Sequence, residues 1–325
     1  KMTIDMDLQR VAREELEIKI MEYRGSRHRE RILEAPGGCV IVLDAKTGAV
    51  LANANYPNFD PADFVTQDVN PDAAARVSAM LRDVETRPLL NRGIAETYTP
   101  GSTFKPITGI AALEAGAISP FNNELTCHGA QEIGGFLWRC YAYHGEIDFS
   151  RAVVTSCNLY FFQIAVETGI DKISEMGKRL GLGEMPGLDI GGEVAGVRPS
   201  REVKKQLNSR PEDQTWFIAD TCQTSIGQFY NSYSMIQMAR AVAGYATNEL
   251  PTPHFIKEIV AQDGSVLIPE RIENTPLGLS PSPKPFSPTS SACCSMPVRG
   301  TSGRIVPRNY SAKARISPTL TSAGT

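Results

Sequence analysis

The stretch Tyr98–Ile118, YTPGSTFKPITGIAALEAGAI, decides how the rest of the chain is read. Pro100-Gly101 halt whatever precedes them, and an apolar helical pattern over Ser102–Ala115 follows. Ser102 and Lys105 stand three positions apart, which puts both on one helix face within side-chain reach. A serine hydroxyl becomes a nucleophile only when a base takes its proton. Lysine can be that base if burial or neighbouring cations deprotonate it. The helix N-terminus adds a partial positive charge that favours a developing alkoxide. The competing reading is structural: Ser102 caps the helix and Lys105 is a solvated first-turn residue. Ser-x-x-K alone is short enough to recur by chance, so the flanking segments must decide.

Working outward, MTIDMDLQRVAREELEIKI reads as an amphipathic helix with Leu8, Val11, Ala12, Leu16 and Ile18 on its apolar side. GGCVIVLDAKTGAVLANANYP reads as a β-hairpin, with strands Cys39–Leu43 and Val50–Ala54 about the turn Asp44–Gly48. NFDPADF reads as a loop, and residues 73–93 as helical and then irregular. Residues 127–146 read as loop, rich in Gly and aromatics. DFSRAVVTSCNLYFFQIAVETG gives two helical pieces broken near Ser156–Asn158. A short helix over ISEMGKRLGLGE ends at glycine, and another over YSMIQMARAVAGYATN is capped by Ser232 or Ser234. A hairpin first, helices in the middle and short strands after Pro253 imply an α+β fold, an antiparallel sheet flanked by helices. A doubly wound sheet is disfavoured because no regular β-α-β alternation is present.

Composition narrows the function classes. The 325 residues are 42% hydrophobic and 21% charged, ordinary for a globular protein. Lys+Arg 33 against Asp+Glu 36 leaves a net charge of -3. That balance offers no electrostatic basis for nucleic-acid binding. No apolar run reaches the length of a membrane span, and no signal-peptide pattern is present. The chain opens on Lys1 rather than Met, so further sequence is expected before it. Composition changes at Leu279, where LSPSPKPFSPTSSACCSMP begins a Ser/Pro-rich tail. The expected division is a folded domain over 1–278 and an aberrant or disordered tail over 279–325.

With its context, NRGIAETYTPGSTFKPITGIAALEAG resembles the active-site segment of the penicillin-binding transpeptidases. PGGCVIVLDAKTGAVLANANYPNFDP is similar to that family's opening hairpin. Ser156-Cys157-Asn158 is similar to its Ser-x-Asn motif, and GLDIGGEVAGVRP and TSIGQFYNSYSMIQMARAVAGYATN match later segments in the same order. The resemblance runs over roughly residues 1 to 278, and FLWRCYAYHGEIDFSRAVVTSCN is most like the class B elongation type. It implies the penicillin-binding/serine β-lactamase-like fold and a D,D-transpeptidase on the extracytoplasmic face of a bacterial membrane. The implied substrates are peptidoglycan stem peptides, with β-lactams as acylating inhibitors. Membrane-bound cell-wall synthesis proteins are the implied partners, through regions absent here. By the resemblance Ser102 is the nucleophile and Lys105 the acylation base. Ser156 relays a proton toward the leaving group, and Asn158 holds the substrate amide and Lys105. Alternatives are a β-lactamase or β-lactam sensor of the same fold, or a catalytically dead scaffold of the elongation machinery.

Two features complete the expectations. The family's third motif, Lys-Thr-Gly, does not occur after Asn158; the one copy, Lys46-Thr47-Gly48, is the hairpin turn. The nearest substitutes are Arg299-Gly300-Thr301 and Ser322-Ala323-Gly324-Thr325, so Gly324 and Thr325 are the oxyanion candidates. Neither substitute has the lysine, and the chain as given is expected to acylate weakly or not at all. A divergent tail, a truncation and a reading-frame shift near residue 279 are the explanations. Secondly, Cys127, Cys140, His144 and Cys157 form C-x12-C-x3-H-x12-C, ligand types suited to a structural zinc. The resemblance supports that reading through His144 and Cys157. A Cys127–Cys140 disulfide, buried free thiols and a core histidine compete with it.

Overall fold

A computed structural model describes residues 1–28, 31–32, 34–269 and 273–279. Gly324, Thr325 and nearly all of the proposed tail therefore lie outside the described residues.

Helix α1 (Met6–Tyr23) is started by Asp5, whose carboxylate accepts from the Asp7 and Leu8 N–H groups. Its buried residues are Ala12, Leu16 and Ile20, a 4-4 spacing, whereas Val11 and Ile18 are exposed. The apolar face is thus rotated from the one read in the sequence, because the sheet beneath selects the i+4 row. After a short pair, β1 (Arg27–His28) and β2 (Arg31–Ile32), comes the expected hairpin of β3 (Gly38–Leu43) and β4 (Val50–Tyr56). Alternation gives it two distinct faces. Val40, Val42, Ala52 and Ala54 pack against α1, while Cys39, Ile41 and Leu43 face the other way into a second cluster.

The segment read as a loop carries α2 (Pro61–Thr66), since Asp60 caps it and Pro61 takes the first helical position. Then come α3 (Pro71–Arg82) and α4 (Arg92–Ala95). A 3₁₀ turn over Gly101–Phe104 leads into α5 (Lys105–Ala115), which ends at Gly116 in the left-handed region. Residues 125–147 are not loop: β5 (Leu125–Cys127) pairs with β8 (Gly145–Ile147), and β6 (Ala130–Ile133) with β7 (Phe136–Arg139). Strands of three or four residues turned by positive-φ glycines carry too little alternation to be read in sequence.

Helices α6 (Phe149–Val154) and α7 (Asn158–Thr168) flank the expected break, and α8 (Ile170–Arg179) follows. The rest comprises α9 (Arg201–Leu207), α10 (Ile218–Ser225), α11 (Met235–Thr247), β9 (Glu249–Leu250), β10 (Ile259–Val260), β11 (Val266–Leu267) and β12 (Thr275–Pro276). Ser234 is the cap of α11, and its N–H donates to Gln237 Oε1 at 2.9 Å. Every strand ladder among the described residues is antiparallel. Helix α11 lays Ile236, Ala239 and Ala243 on the inner hairpin face, while Met238 and Ala241 join Ile107, Ile110, Ile173 and Leu180 in the helical core. That core fixes α5, and so the residues at its N-terminus.

Candidate active site

Three helix ends converge here. The turn into α5 supplies Ser102 and Lys105, and the α6–α7 break supplies Ser156, Cys157 and Asn158. Ser102 is exposed and caps nothing: the 3₁₀ turn has no side-chain capping bond. Lys105 is 2% exposed, so it is no solvated first-turn residue. Both halves of the structural reading of this motif fail.

The Lys105 ammonium donates to Ser156 O at 2.6 Å, Ser156 Oγ at 2.9 Å and Asn158 Oδ1 at 2.7 Å. Its Nζ also lies 5.5 Å from the centre of the Phe161 ring. Ser156 Oγ stands 2.9 Å from Ser102 Oγ. A continuous chain of polar atoms therefore runs Ser102–Ser156–Lys105. Burial pulls the Lys105 ammonium down to about 8, against the opposing pull of Cys140 and Cys157. At neutral pH a useful fraction is then the free amine, which can accept a proton. Ser156 sits at φ 51°, unusual for a non-glycine residue. That conformation turns its carbonyl and hydroxyl together toward Lys105.

Behind Ser156 lies a second cluster. The ligand atoms of Cys127, Cys140, His144 and Cys157 are all within 4.8 Å of one another. Cys127 Sγ is 3.4 Å from His144 Nδ1, Cys140 Sγ is 3.6 Å from the same nitrogen, and Cys140 Sγ is 3.9 Å from Cys157 Sγ. A tetrahedral zinc with Zn–S near 2.3 Å requires S···S of about 3.8 Å and S···N of about 3.6 Å. The residue types are ones zinc takes, and these three separations lie near those values, within a set that spreads to 4.8 Å. The first turn of α7 faces the sulfurs, with Asn158 N–H donating to Cys140 Sγ at 3.3 Å and Tyr160 N–H to Cys157 Sγ at 3.4 Å. Burial opposes ionisation at both sulfurs: backbone N–H donors outweigh it at Cys140 and hold that thiol below its ordinary range, whereas at Cys157 burial wins and pushes the thiol up to about 12. Burial, with the Lys105 and Arg151 cations adding to it, lowers His144 and keeps its imidazole neutral, the form that ligates.

The structure brings eight of the residues singled out in the sequence into two neighbouring groups, Ser102, Lys105, Ser156 and Asn158 in one and Cys127, Cys140, His144 and Cys157 in the other. Sequence reasoning missed Tyr141, whose hydroxyl donates to Thr155 O beside the break, and Phe161 beneath Lys105. It also missed Gly227, pressed against Gly101. An exposed tyrosine in a segment read as loop carried no signal.

The comparisons with known proteins agree with the geometry. The family model described as "Penicillin binding protein transpeptidase domain" matches residues 38–285. The chain is 32% identical over 255 residues to the peptidoglycan D,D-transpeptidase MrdA of Escherichia coli K12, covering 77% of this chain and 38% of that protein. It is 36% identical over 156 residues to the peptidoglycan D,D-transpeptidase PbpA of Mycobacterium tuberculosis, 46% of this chain and 31% of that protein. Among solved structures, Pseudomonas aeruginosa PBP2 in complex with WCK 5153 superposes with a TM-score of 0.68 at 27% identity, covering 88% of this chain and 59% of that one. The chain thus spans about two fifths of the length of the MrdA it matches. A match across most of the chain, with the Ser102–Ser156–Lys105 arrangement inside it, leads to one conclusion: the chain belongs to the penicillin-binding protein transpeptidase family, as a class B member most similar to the elongation type.

Proposed function

We propose that this chain carries D,D-transpeptidase chemistry for peptidoglycan crosslinking, with Ser102 as nucleophile. The observation that carries the proposal is the buried Lys105 amine linked through Ser156 Oγ to Ser102 Oγ. In the reaction, Ser102 Oγ attacks the carbonyl of the penultimate D-alanine of a stem peptide. Its proton passes by way of Ser156 to Lys105, and the tetrahedral adduct forms. The C–N bond then breaks; the proton returns through Ser156 to the departing D-alanine amine, leaving an ester on Ser102. An amine of a neighbouring strand, or water, resolves that ester by the same route in reverse. Asn158, already bonded to Lys105 through Oδ1, has its amide N–H₂ to offer the substrate. A β-lactam acylates Ser102 through its ring carbonyl.

The third motif would supply a carboxylate subsite and the second oxyanion donor. Its candidates here, Gly324 and Thr325, lie outside the described residues and are not preceded by the motif's lysine; full activity is expected from a chain given a Lys-Thr-Gly strand. Such a chain should release D-alanine from an acyl-D-Ala-D-Ala donor and join the acyl group to an added amine. If it releases none, the scaffold reading takes over. The rate of acylation should rise with pH through about 8, falling roughly tenfold per unit below it as Lys105 becomes the ammonium. A rate that stays flat from pH 6 to 9 would contradict Lys105 as base.

A structural zinc on Cys127, Cys140, His144 and Cys157 belongs to this reading. It would hold three thiolates and an imidazole together and take no part in acyl transfer. Through Cys157 it would fix Ser156 and Asn158 to the strand pair β5–β8. Protein purified without chelator should contain about one zinc per chain. Cys140→Ser and His144→Ala should lose most of it; a metal-free protein with a mapped disulfide among these cysteines would end the zinc reading.

Location and partners follow the relatives. Helicobacter pylori PBP2 has been solved in complex with MreC. A comparable membrane-bound cell-wall protein, on the extracytoplasmic face of a bacterial membrane, is the partner class proposed here. No helix among the described residues is long and apolar enough to cross a membrane.

A further inference from the structure

Behind the nucleophile turn, two glycine backbones are pressed together. Gly101, immediately before Ser102, sits at φ +57°, and Gly227 at φ +73°. Gly101 N–H donates to Gly227 O at 3.0 Å. A Cβ on Gly227 would stand 2.2 Å from Gly101 O, 2.8 Å from Gly101 N and 2.8 Å from Phe104 Cβ. Contacts that close exclude any side chain there.

The segment carrying Gly227 is itself tied down. Asn231, 1% exposed, donates through Nδ2 to Thr224 O at 3.1 Å and Gln228 O at 2.7 Å. Its Oδ1 accepts from Tyr233 OH at 2.8 Å. The Tyr233 ring stacks on Phe104 at 6.2 Å, with 10° between the planes. Thr108 Oγ1 donates to Ser225 O at 2.8 Å. The nucleophile turn is therefore gripped before Ser102 at Gly101, between Ser102 and Lys105 at Phe104, and after Lys105 at Thr108.

We propose that Gly227 and Asn231 are positioning residues for Ser102, acting through Gly101 and Phe104 to hold its Oγ within reach of Ser156. This rests on the reading of Ser102 as the nucleophile. Neither residue hydrogen-bonds to Ser102, Ser156 or Lys105 or to the cysteine cluster. Displacing a nucleophile by about 1 Å can cost about 100-fold in rate.

The test compares Gly227→Ala with Gly116→Ala in the full chain. Gly116 has the same left-handed backbone, φ +77°, but nothing within 4 Å of its Cβ position. Both variants carry the backbone strain, and only Gly227→Ala pushes on Gly101. In crystal structures of the two, Ser102 Oγ should leave hydrogen-bonding distance of Ser156 Oγ in Gly227→Ala alone. In the chain completed with a Lys-Thr-Gly strand, the first-order acylation rate by a fluorescent penicillin should fall about 100-fold in Gly227→Ala, with the noncovalent Kd unchanged. Gly116→Ala should alter only the folded fraction, read as labelling amplitude. Asn231→Ser, which removes the Nδ2 donors, should show the same rate loss and stands in if Gly227→Ala does not fold. Wild-type geometry and rate in both Gly227→Ala and Asn231→Ser would overturn the proposal. If no variant acylates and Ser102 is still displaced in the crystal, the catalytic reading fails while the positioning one stands.

Discussion

Lys105→Ala is expected to cut the rate of penicillin acylation by about 10³-fold in a chain completed with a Lys-Thr-Gly strand. The amine is the only basic group in hydrogen-bonding contact with Ser156 Oγ among the described residues, and Ser156 Oγ is the neighbour of Ser102 Oγ. A solvated first-turn lysine could be removed with stability almost untouched. Burial changes that expectation. The substitution orphans Ser156 O and Asn158 Oδ1, each costing about 1–3 kcal/mol when left unpaired. Relief from holding a desolvated cation offsets part of this. A net loss of about 2 kcal/mol is expected, so the rate must be taken per folded molecule. Thermal unfolding gives the folded fraction, and time-resolved labelling gives the rate. A per-molecule rate within tenfold of wild type would exclude Lys105 as the base.

A large stability effect is expected at Gly109, away from the chemistry. A Cβ there would stand 2.1 Å from Phe149 Cε2 and 2.2 Å from Cζ. Phe149 is fully buried beside Tyr160 and Phe161, so its ring has nowhere to move. Gly→Ala in a helix interior ordinarily gains about 1 kcal/mol from propensity. A β-branched residue gains less, and overpacking of this kind costs about 1–3 kcal/mol or more. Gly109→Val is therefore expected to destabilise the domain by about 3 kcal/mol, seen as a lower midpoint in urea with an unchanged slope. A midpoint equal to wild type would mean that α5 and α6 are not in the contact described.

Much of this was legible in the sequence, for identifiable reasons. The β3–β4 hairpin alternates cleanly because each of its faces meets a different helix, α1 or α11. The α6–α7 break is visible because Ser156-Cys157-Asn158 cannot continue a helix comfortably, and Ser156 does take a positive φ. Ser102 and Lys105 stood out through spacing, and the cysteine cluster through residue type. Other features depend on tertiary context that no local pattern carries. Lys105 looks solvated on a helical wheel, and its burial is created by α7, over fifty residues downstream. The α1 face is selected by the hairpin it covers, and strands β5 to β8 are too short to show a period. The Gly227–Gly101 contact joins segments that are far apart in the chain, and it is invisible until they are folded together. The third motif remains a sequence-level expectation, since its candidates fall outside the described residues.

The central claim is that Ser102 is the residue acylated. Its most direct test is mass-spectrometric mapping of the adduct left by penicillin on the chain completed with a Lys-Thr-Gly strand. The adduct should sit on the peptide containing Pro100-Gly101-Ser102, at Ser102 itself, and disappear in Ser102→Ala. An adduct on any other residue, or labelling that persists in Ser102→Ala, would contradict the claim.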